Sequence, residues 1–437
     1  MKARKLCGLL LAVIILFSAE SSAEKNPFSD KTIAISPTVV STARDSKDTG
    51  FWDSFIKNAR SIYSKFSIIL NKAFTNDTLP VFVSKSAIIP GHDTHEFVCQ
   101  GVCYLPDDVI SPAADQIKLT SYKHVLLSYY SVSGKTDEPS QLVVVDINSG
   151  KPLRRFGLYE SEGQPYTGHA GGVTVAGAYV WVASGFRLYG FKLREILDFM
   201  NDSTAKVSSE YTDISASLRI PSTDLVVDRI FDVDSKASFV SFDGIHLWVG
   251  DFVKSSSDDF APVKHHAKNP FDMKTWIAGY KVNDQGLPTA SQKYNYRDGN
   301  TTRTAFKPDR LIFCRESVQG MAICGKYAAL SISYGARNSK LAFYRSPLNQ
   351  PSTSISFTPA GHIKTFTTEG WVLAEGINWL KTINLPAGAE DLEYDGSFLY
   401  VTFEGASPNY RQKWISMNPS ISISEKFYLI NPSDVLK

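Results

Sequence analysis

One phrase recurs four times along the chain: a small or polar residue, an apolar run, a glycine, then a second run carrying aromatic residues. The copies are GGVTVAG-AYVWVAS from Gly171, SFVSFDG-IHLWVGD from Ser238, QGMAICG-KYAALSI from Gln319 and EDLEYDG-SFLYVTF from Glu390. Their glycines, Gly177, Gly244, Gly325 and Gly396, stand 67, 81 and 71 residues apart. A looser fifth copy opens at Gln100-Gly101-Val102 and resumes at His124-Val125-Leu126-Leu127. Each copy reads as two strands joined by a glycine turn. A period of this kind belongs to repeated β units that bury their faces only against their neighbours.

Third strands follow the phrase at residues 141–147, 187–193, 276–282, 340–344 and 426–430, where the alternation has period two. Residues 152–158 and 362–367 are candidates for fourth strands, and residues 193–200 read as a short helix between the second and third units. Residues 255–269 and the loop that begins at Arg345 carry no readable period. Four-stranded units repeated around an axis define a β-propeller. The expected fold is therefore all-β, with five blades over residues 91–437. Ordinary blades of about 40–50 residues leave room for a sixth or seventh.

Ahead of the repeats the pattern changes. Residues 1–23 combine a basic start (Lys2, Arg4, Lys5), an apolar stretch from Leu9 to Phe17 and the small residues Ser21-Ser22-Ala23. That order is the signature of a secretory signal peptide, and it predicts a secreted or periplasmic protein. Residues 24–48 read as a flexible polar leader. Residues 49–90 hold an amphipathic helix and a linker: Trp52, Phe55, Ile56, Ala59, Ile62, Tyr63 and Phe66 recur at helical spacing. The helix, over residues 51–74, is expected to pack on the main domain. Its Lys57, Arg60, Lys65 and Lys72 leave contact with a membrane surface as the alternative.

The formal charge of the whole chain is +2. Residues 1–23 carry all of that excess, so the remainder is close to neutral and no pull toward nucleic acid is expected. Four cysteines follow the signal segment: Cys99, Cys103, Cys314 and Cys324. An even count in an exported chain favours disulfides. Cys99 and Cys103 on one extended strand would lie roughly 13 Å apart, beyond bonding reach, unless a turn at Gly101 brings them together. A Cys314–Cys324 bond is the preferred pairing for the other two.

Residues 142–152, LVVVDINSGKP, run as an apolar strand, an Asp and a small-Gly turn, and residues 168–173 read GHAGGV. In these stretches the chain resembles exported bacterial propellers of the YVTN and quinoprotein-like kind. The resemblance implies a propeller outside the cytoplasm, without an assigned activity. The Trp-rich docking signature of true quinoproteins is absent, so no quinone, and no other cofactor, is carried over.

Aligning the repeats on their glycines puts Gln100, Gly171, Ser238, Gln319 and Glu390 in one column at the start of the innermost strands, around the presumed axis. His169 lies just before this column and Asp391 just after it. The second strands end near Ser184, Asp251, Tyr334 and Glu404. His169, Glu390 and Glu404 are the candidate catalytic groups, because general acid–base chemistry needs titratable side chains within hydrogen-bond reach of one another. Gln100, Gln319, Asp391, Asp251 and Tyr334 are the candidate ligand-binding residues. Tyr334, Tyr410 and Trp414 are aromatics suited to stacking on a sugar or planar ligand. The structural alternative is a hub whose polar residues satisfy strand ends and ordered water.

His92, Asp93, His95 and Glu96 form the densest group of potential metal ligands, but HDTHE is not the helical HExxH motif, and no metal site is assigned. His265-His266 reads as a loop turn. GxSxG, P-loop and GxGxxG arrangements are absent. The chain therefore reads as an exported propeller that binds a ligand or protein partner through its channel mouth and inter-blade loops. The alternative is an extracytoplasmic hydrolase or lyase with acid–base residues at the axis, and residue patterns alone do not decide whether the protein is an enzyme.

Overall fold

The computed structural model describes residues 80–437, except 109–122, 133–137, 208–215, 255–260 and 270. The signal-like segment, the leader and the amphipathic stripe lie outside the described residues. Within them the chain forms a five-bladed β-propeller. The innermost strands are Phe97–Leu105, Gly172–Ala176, Phe239–Phe242, Val318–Cys324 and Ala389–Tyr394, in blades 1 to 5, and each packs against the next around the ring.

The glycines that punctuate the repeated phrase are hairpin residues. Gly177, Gly244, Gly325 and Gly396 all have positive φ, between 56° and 93°, a region that a Cβ makes costly. In blades 3 and 5 an aspartate precedes the glycine. Asp243 accepts from the amides of Ile245 and His246 and from Trp248 Nε1. Asp395 accepts from the amides of Ser397 and Phe398 and from the Tyr400 hydroxyl. One side chain thus closes the turn and fixes the buried aromatic of the next strand. The 142–152 turn works similarly: Asp146 accepts from the Asn148 and Ser149 amides, and Gly150 has φ 68°.

The third strands fall where the period placed them, at Gln141–Asp146, Arg187–Lys192, Thr275–Lys281, Ser339–Arg345 and Lys426–Ile430. The helix Leu193–Asn201 also forms, but inside blade 2, between its third and fourth strands. Pro152–Ser161 is the fourth strand of blade 1. The strand near 362–367, Phe366–Val372, is not the fourth strand of blade 4; that is Trp379–Leu385. Instead it pairs in parallel with Arg310–Cys314 of blade 3. Ser222–Val226 of blade 2 pairs in the same way with blade 1. The insertions of blades 2 and 4 therefore cover the outer edges of the preceding blades, which would otherwise expose unpaired backbone groups.

The ring closes with Val83–Ile88, antiparallel to Lys426–Ile430, as the outer strand of blade 5. This strand lies upstream of residue 91, because closure takes a strand from the far end of the propeller sequence. Hydroxyls staple the hub. Ser128 donates to the Ala170 carbonyl and Ser331 to the Ala389 carbonyl, and Thr402 pairs with Cys99 across blades 5 and 1.

The four described cysteines are free and buried, so the expected disulfides do not form. The packing explains this. Cys314 lies in the apolar cluster between blades 3 and 4, whereas Cys324 belongs to the one that joins blades 4, 5 and 1. Cys103 belongs to a third cluster, between blades 1 and 2. Although a bulge interrupts the register between Cys99 and Gly101, it does not turn the strand back on itself.

Candidate functional site

The axis is filled. At Gly172 a Cβ would come within 2.6 Å of the Val240 amide nitrogen, and at Gly320 within 2.7 Å of that of Leu392. Neighbouring inner strands thus meet backbone to backbone. Two acids of blade 5 reach across to blade 2. Asp391 Oδ2 accepts from the Val173 amide at 3.0 Å, and Glu393 Oε2 accepts from Thr174 Oγ1 at 2.5 Å. Both acids are almost fully buried, at 0% and 1% exposure. The open channel expected from the repeat is replaced by side chains that tie opposite blades together.

Above this plug, where the inner strands begin, Glu390 and Glu404 of blade 5 are hydrogen-bonded to each other. Gln319 Nε2 of blade 4 donates to Glu390 Oε1 at 3.1 Å. Gln100 Nε2 of blade 1 donates to Glu404 Oε2 at 3.1 Å and to the Cys99 carbonyl at 3.2 Å. The Tyr410 hydroxyl also bonds Glu404 and lies 2.7 Å from the Tyr130 hydroxyl. Tyr130 in turn stacks on the His169 ring, with centroids 4.4 Å apart. The helix Pro408–Met417 positions Tyr410. Ser407 caps that helix, and Trp414, itself buried, stacks on Tyr410 at 5.1 Å.

Burial sets the electrostatics. Glu390 is pushed well above the ordinary carboxyl range, first by desolvation and then by the neighbouring Glu404. Glu404 is raised by desolvation to about 7, against the lowering effect of its bonds to Gln100, Glu390 and Tyr410. Two carboxyls in contact cannot both ionise cheaply, so the pair holds a proton near neutrality. Deeper in the hub, desolvation raises Asp391, and raises Glu393 to about 8. His169 keeps an exposed edge at the rim, yet the protein around it still lowers its pKa by desolvation.

Of the candidate catalytic residues, the fold joins Glu390 to Glu404 directly. His169 reaches them only through Tyr130 and Tyr410, and neither carboxyl is among its partners. Gln100 and Gln319 belong to the cluster. Asp391 is spent on blade-to-blade bonding below it. Asp251 accepts from the Lys236 amide at 3.3 Å in blade 3, and Tyr334 is 53% exposed beside Lys254 and Phe252; both stand apart from the pair. Gly171 and Ser238 of the column serve packing and backbone bonding, because the Gly171 Cα abuts Ser238 and Ser238 Oγ accepts from the Phe252 amide.

Tyr130 is the site residue that the repeat alignment missed. Tyr129 pairs with Cys99 as Phe403 pairs with Ala389, so Tyr130 is the blade 1 counterpart of Glu404. The long first hairpin of blade 1 hid that equivalence. Among the described residues no group of three or more His, Cys, Asp or Glu is arranged to hold a metal ion. His92 of the HDTHE segment bonds the Ile89 carbonyl and faces Glu425 at 3.6 Å.

No protein-family model matches the chain, and no curated protein matches it.

Proposed function

We propose that this propeller is an exported binding protein that takes a ligand, or a side chain of a partner, at the axis end formed by blades 4, 5 and 1. The observation that carries the reading is convergence: Gln319, Glu390, Glu404, Tyr410, Gln100 and Tyr130 come from three blades to one proton-sharing carboxyl pair. A purely structural hub is already provided by Asp391 and Glu393 below. Rigid blades hold such a group in place, so little ordering is needed on binding. Export rests on the basic, apolar and small-residue order of residues 1–23. The likeness of residues 142–152 and 168–173 to YVTN-type propellers agrees with it. N-terminal sequencing of the secreted protein tests that part.

A thermal-shift screen of neutral sugars, amines, carboxylates and peptides tests the binding reading. A hit should raise Tm in the wild type, and Glu404→Gln should reduce that shift. Hits that Glu404→Gln leaves unchanged would move the binding site elsewhere.

The shared proton favours one second reading, an extracytoplasmic hydrolase. One carboxylate would take a proton from water while its protonated partner gives one to the leaving group, as in dyads of touching acids. Carboxyls in hydrogen-bond contact are closer than the roughly 5 Å of a retaining glycosidase pair, so ester or amide cleavage suits them better than glycoside cleavage. Under this reading Glu390→Gln abolishes turnover of a chromogenic ester or peptide while the fold stays intact; unchanged turnover removes Glu390 from the chemistry.

A further inference from the structure

We infer that the Glu390–Glu404 site recognises a cation bearing several N–H donors, an ammonium or guanidinium group, and this rests on the binding reading above. The argument is an inventory of donors and acceptors. Gln100 Nε2 spends its hydrogens on Glu404 and the Cys99 carbonyl, both of which can only accept from it, and this fixes the amide orientation. Gln319 Nε2 is likewise turned to Glu390. The Tyr410 and Tyr130 hydroxyls, 2.7 Å apart, share a hydrogen bond in which either can donate. Both glutamine amides thus turn their N–H groups inward, toward the carboxyls.

What remains for a ligand is therefore acceptor capacity. Among the described residues the Oε1 atoms of Gln100 and Gln319 accept no hydrogen bond. Among the described residues the groups acting most strongly on the carboxyl pair are Asp391, Gln100, Gln319 and Tyr410, which are acidic or neutral. Tyr130 and His169 border the site with stacked rings, and His169 is held toward its neutral form by desolvation. Acceptors, acidic side chains and an aromatic edge together suit a hydrogen-bonding cation. A neutral sugar would find acceptors but no free donors, and an anion would be repelled.

A cation also replaces the proton that the pair shares. Binding should therefore release up to one proton, and affinity should rise by up to tenfold per pH unit while the pair remains protonated.

Isothermal titration calorimetry at pH 6, 7 and 8, in two buffers of different ionisation enthalpy, tests the inference. The probes are putrescine, spermidine, agmatine and a short Lys/Arg peptide; tetramethylammonium and maltotriose are the controls. At least one N–H cation should bind at least tenfold tighter at pH 8 than at pH 6, with proton release. Tetramethylammonium, which has no N–H, should bind at least tenfold more weakly than that cation. Glu404→Gln and Glu390→Gln, checked for an unchanged fold by circular dichroism, should each reduce affinity at least tenfold and remove the proton release. Asp251→Asn should change neither. The small amines and the peptide separate a free ligand from a partner's side chain.

If maltotriose binds and Glu404→Gln abolishes it while the amines give no heat, the inference falls and the binding site stands. If N–H cations bind equally to wild type and both Gln variants, the inference falls. If none of the probes binds, the inference falls, and the wider screen with Glu404→Gln still decides the binding reading.

Discussion

Two buried polar clusters in this propeller use similar residues in opposite ways. On the outside of blade 3, His265 pairs with Asp234, and both are almost fully buried. Tyr294 donates to Asp234 at 2.8 Å, and the Ala360 amide donates to His265 Nδ1 at 3.0 Å. That amide can only donate, so the ring proton sits on Nε2, facing Asp234. Trp276, Tyr294, Tyr296 and Phe357 box the imidazole in, mostly edge-on. Here the acid and the imidazole are both paired, while Trp276 Nε1 and the Tyr296 hydroxyl are buried without a hydrogen-bond partner among the described residues. The Glu390–Glu404 cluster lies at the end of the axis, with partners below and beside it and acceptors left over at the rim. An acid–imidazole pair sealed by aromatics reads as a structural joint, whereas the acid pair, with amide acceptors unspent beside it, is the cluster for which binding is proposed. The same residue types thus differ in role according to what closes their last side.

The largest effect expected from breaking this contrast is in the box. Trp276→Ala removes a fully buried ring and should cost about 3–5 kcal/mol of stability, read from the urea midpoint. Where the variant still folds, ligand binding at the axis should be unchanged; a loss of binding in a folded variant would mean that the two regions are coupled.

The next effect is pH-dependent. Glu390, Asp391, Glu393 and Glu404 all have folded-state pKa values raised by burial. The folded state therefore binds protons that the unfolded state has released. Their contribution is fully present below the ordinary carboxyl range and is lost as pH rises through about 7 for Glu404 and about 8 for Glu393. Each such group contributes a slope of about 1.4 kcal/mol per pH unit between its unfolded and folded values. Tm should fall steadily from pH 5 to pH 9, and Glu393→Gln should flatten that fall. A Tm that rises over the same range would overturn the assignment.

Tyr410→Phe is a finer probe of the axis cluster. It removes the hydroxyl between Tyr130 and Glu404, at a cost of about 1 kcal/mol. Because that bond favours ionised Glu404, its loss should move the Glu404 titration further up, which carboxyl-selective NMR would detect. The smallest effect is the absence of one. Reducing agent should leave Tm unchanged, and thiol titration after denaturation should find Cys99, Cys103, Cys314 and Cys324 all free. Burial raises the Cys99 thiol to about 12, so in the folded protein it should resist alkylation.

The propeller was legible because its repeat is written locally. A glycine at positive φ, an aspartate before it in two of the blades and alternating apolar residues are neighbours in sequence, and each copy repeats them. Glu390, Glu404, Gln100 and Gln319 were legible for the same reason, since equivalent positions in a ring of repeats face one axis. Asp391 has no such signature. One residue from Glu390 and of the same charge, it points across the hub to Val173 and serves packing, because successive strand residues face opposite ways and the bulge between Ala389 and Leu392 resets that alternation. The disulfides misread for a related reason: cysteine count and spacing carry no information about which blade interface each thiol enters.

By itself, the sequence determined the unit, its hairpin turns and the unevenness of the column at the axis, all of which depend on residues close together in the chain; it favoured five blades and left six or seven open. Only the tertiary structure decided that the axis is filled rather than open, that the inserted strands of blades 2 and 4 extend the blades before them, and that a helix from blade 5 brings Tyr410 onto Glu404. Those outcomes depend on contacts between residues tens to hundreds of positions apart, such as Gln100 with Glu404 and Thr174 with Glu393. Such contacts are fixed by how the closed ring packs, and ring closure is a property of the whole chain.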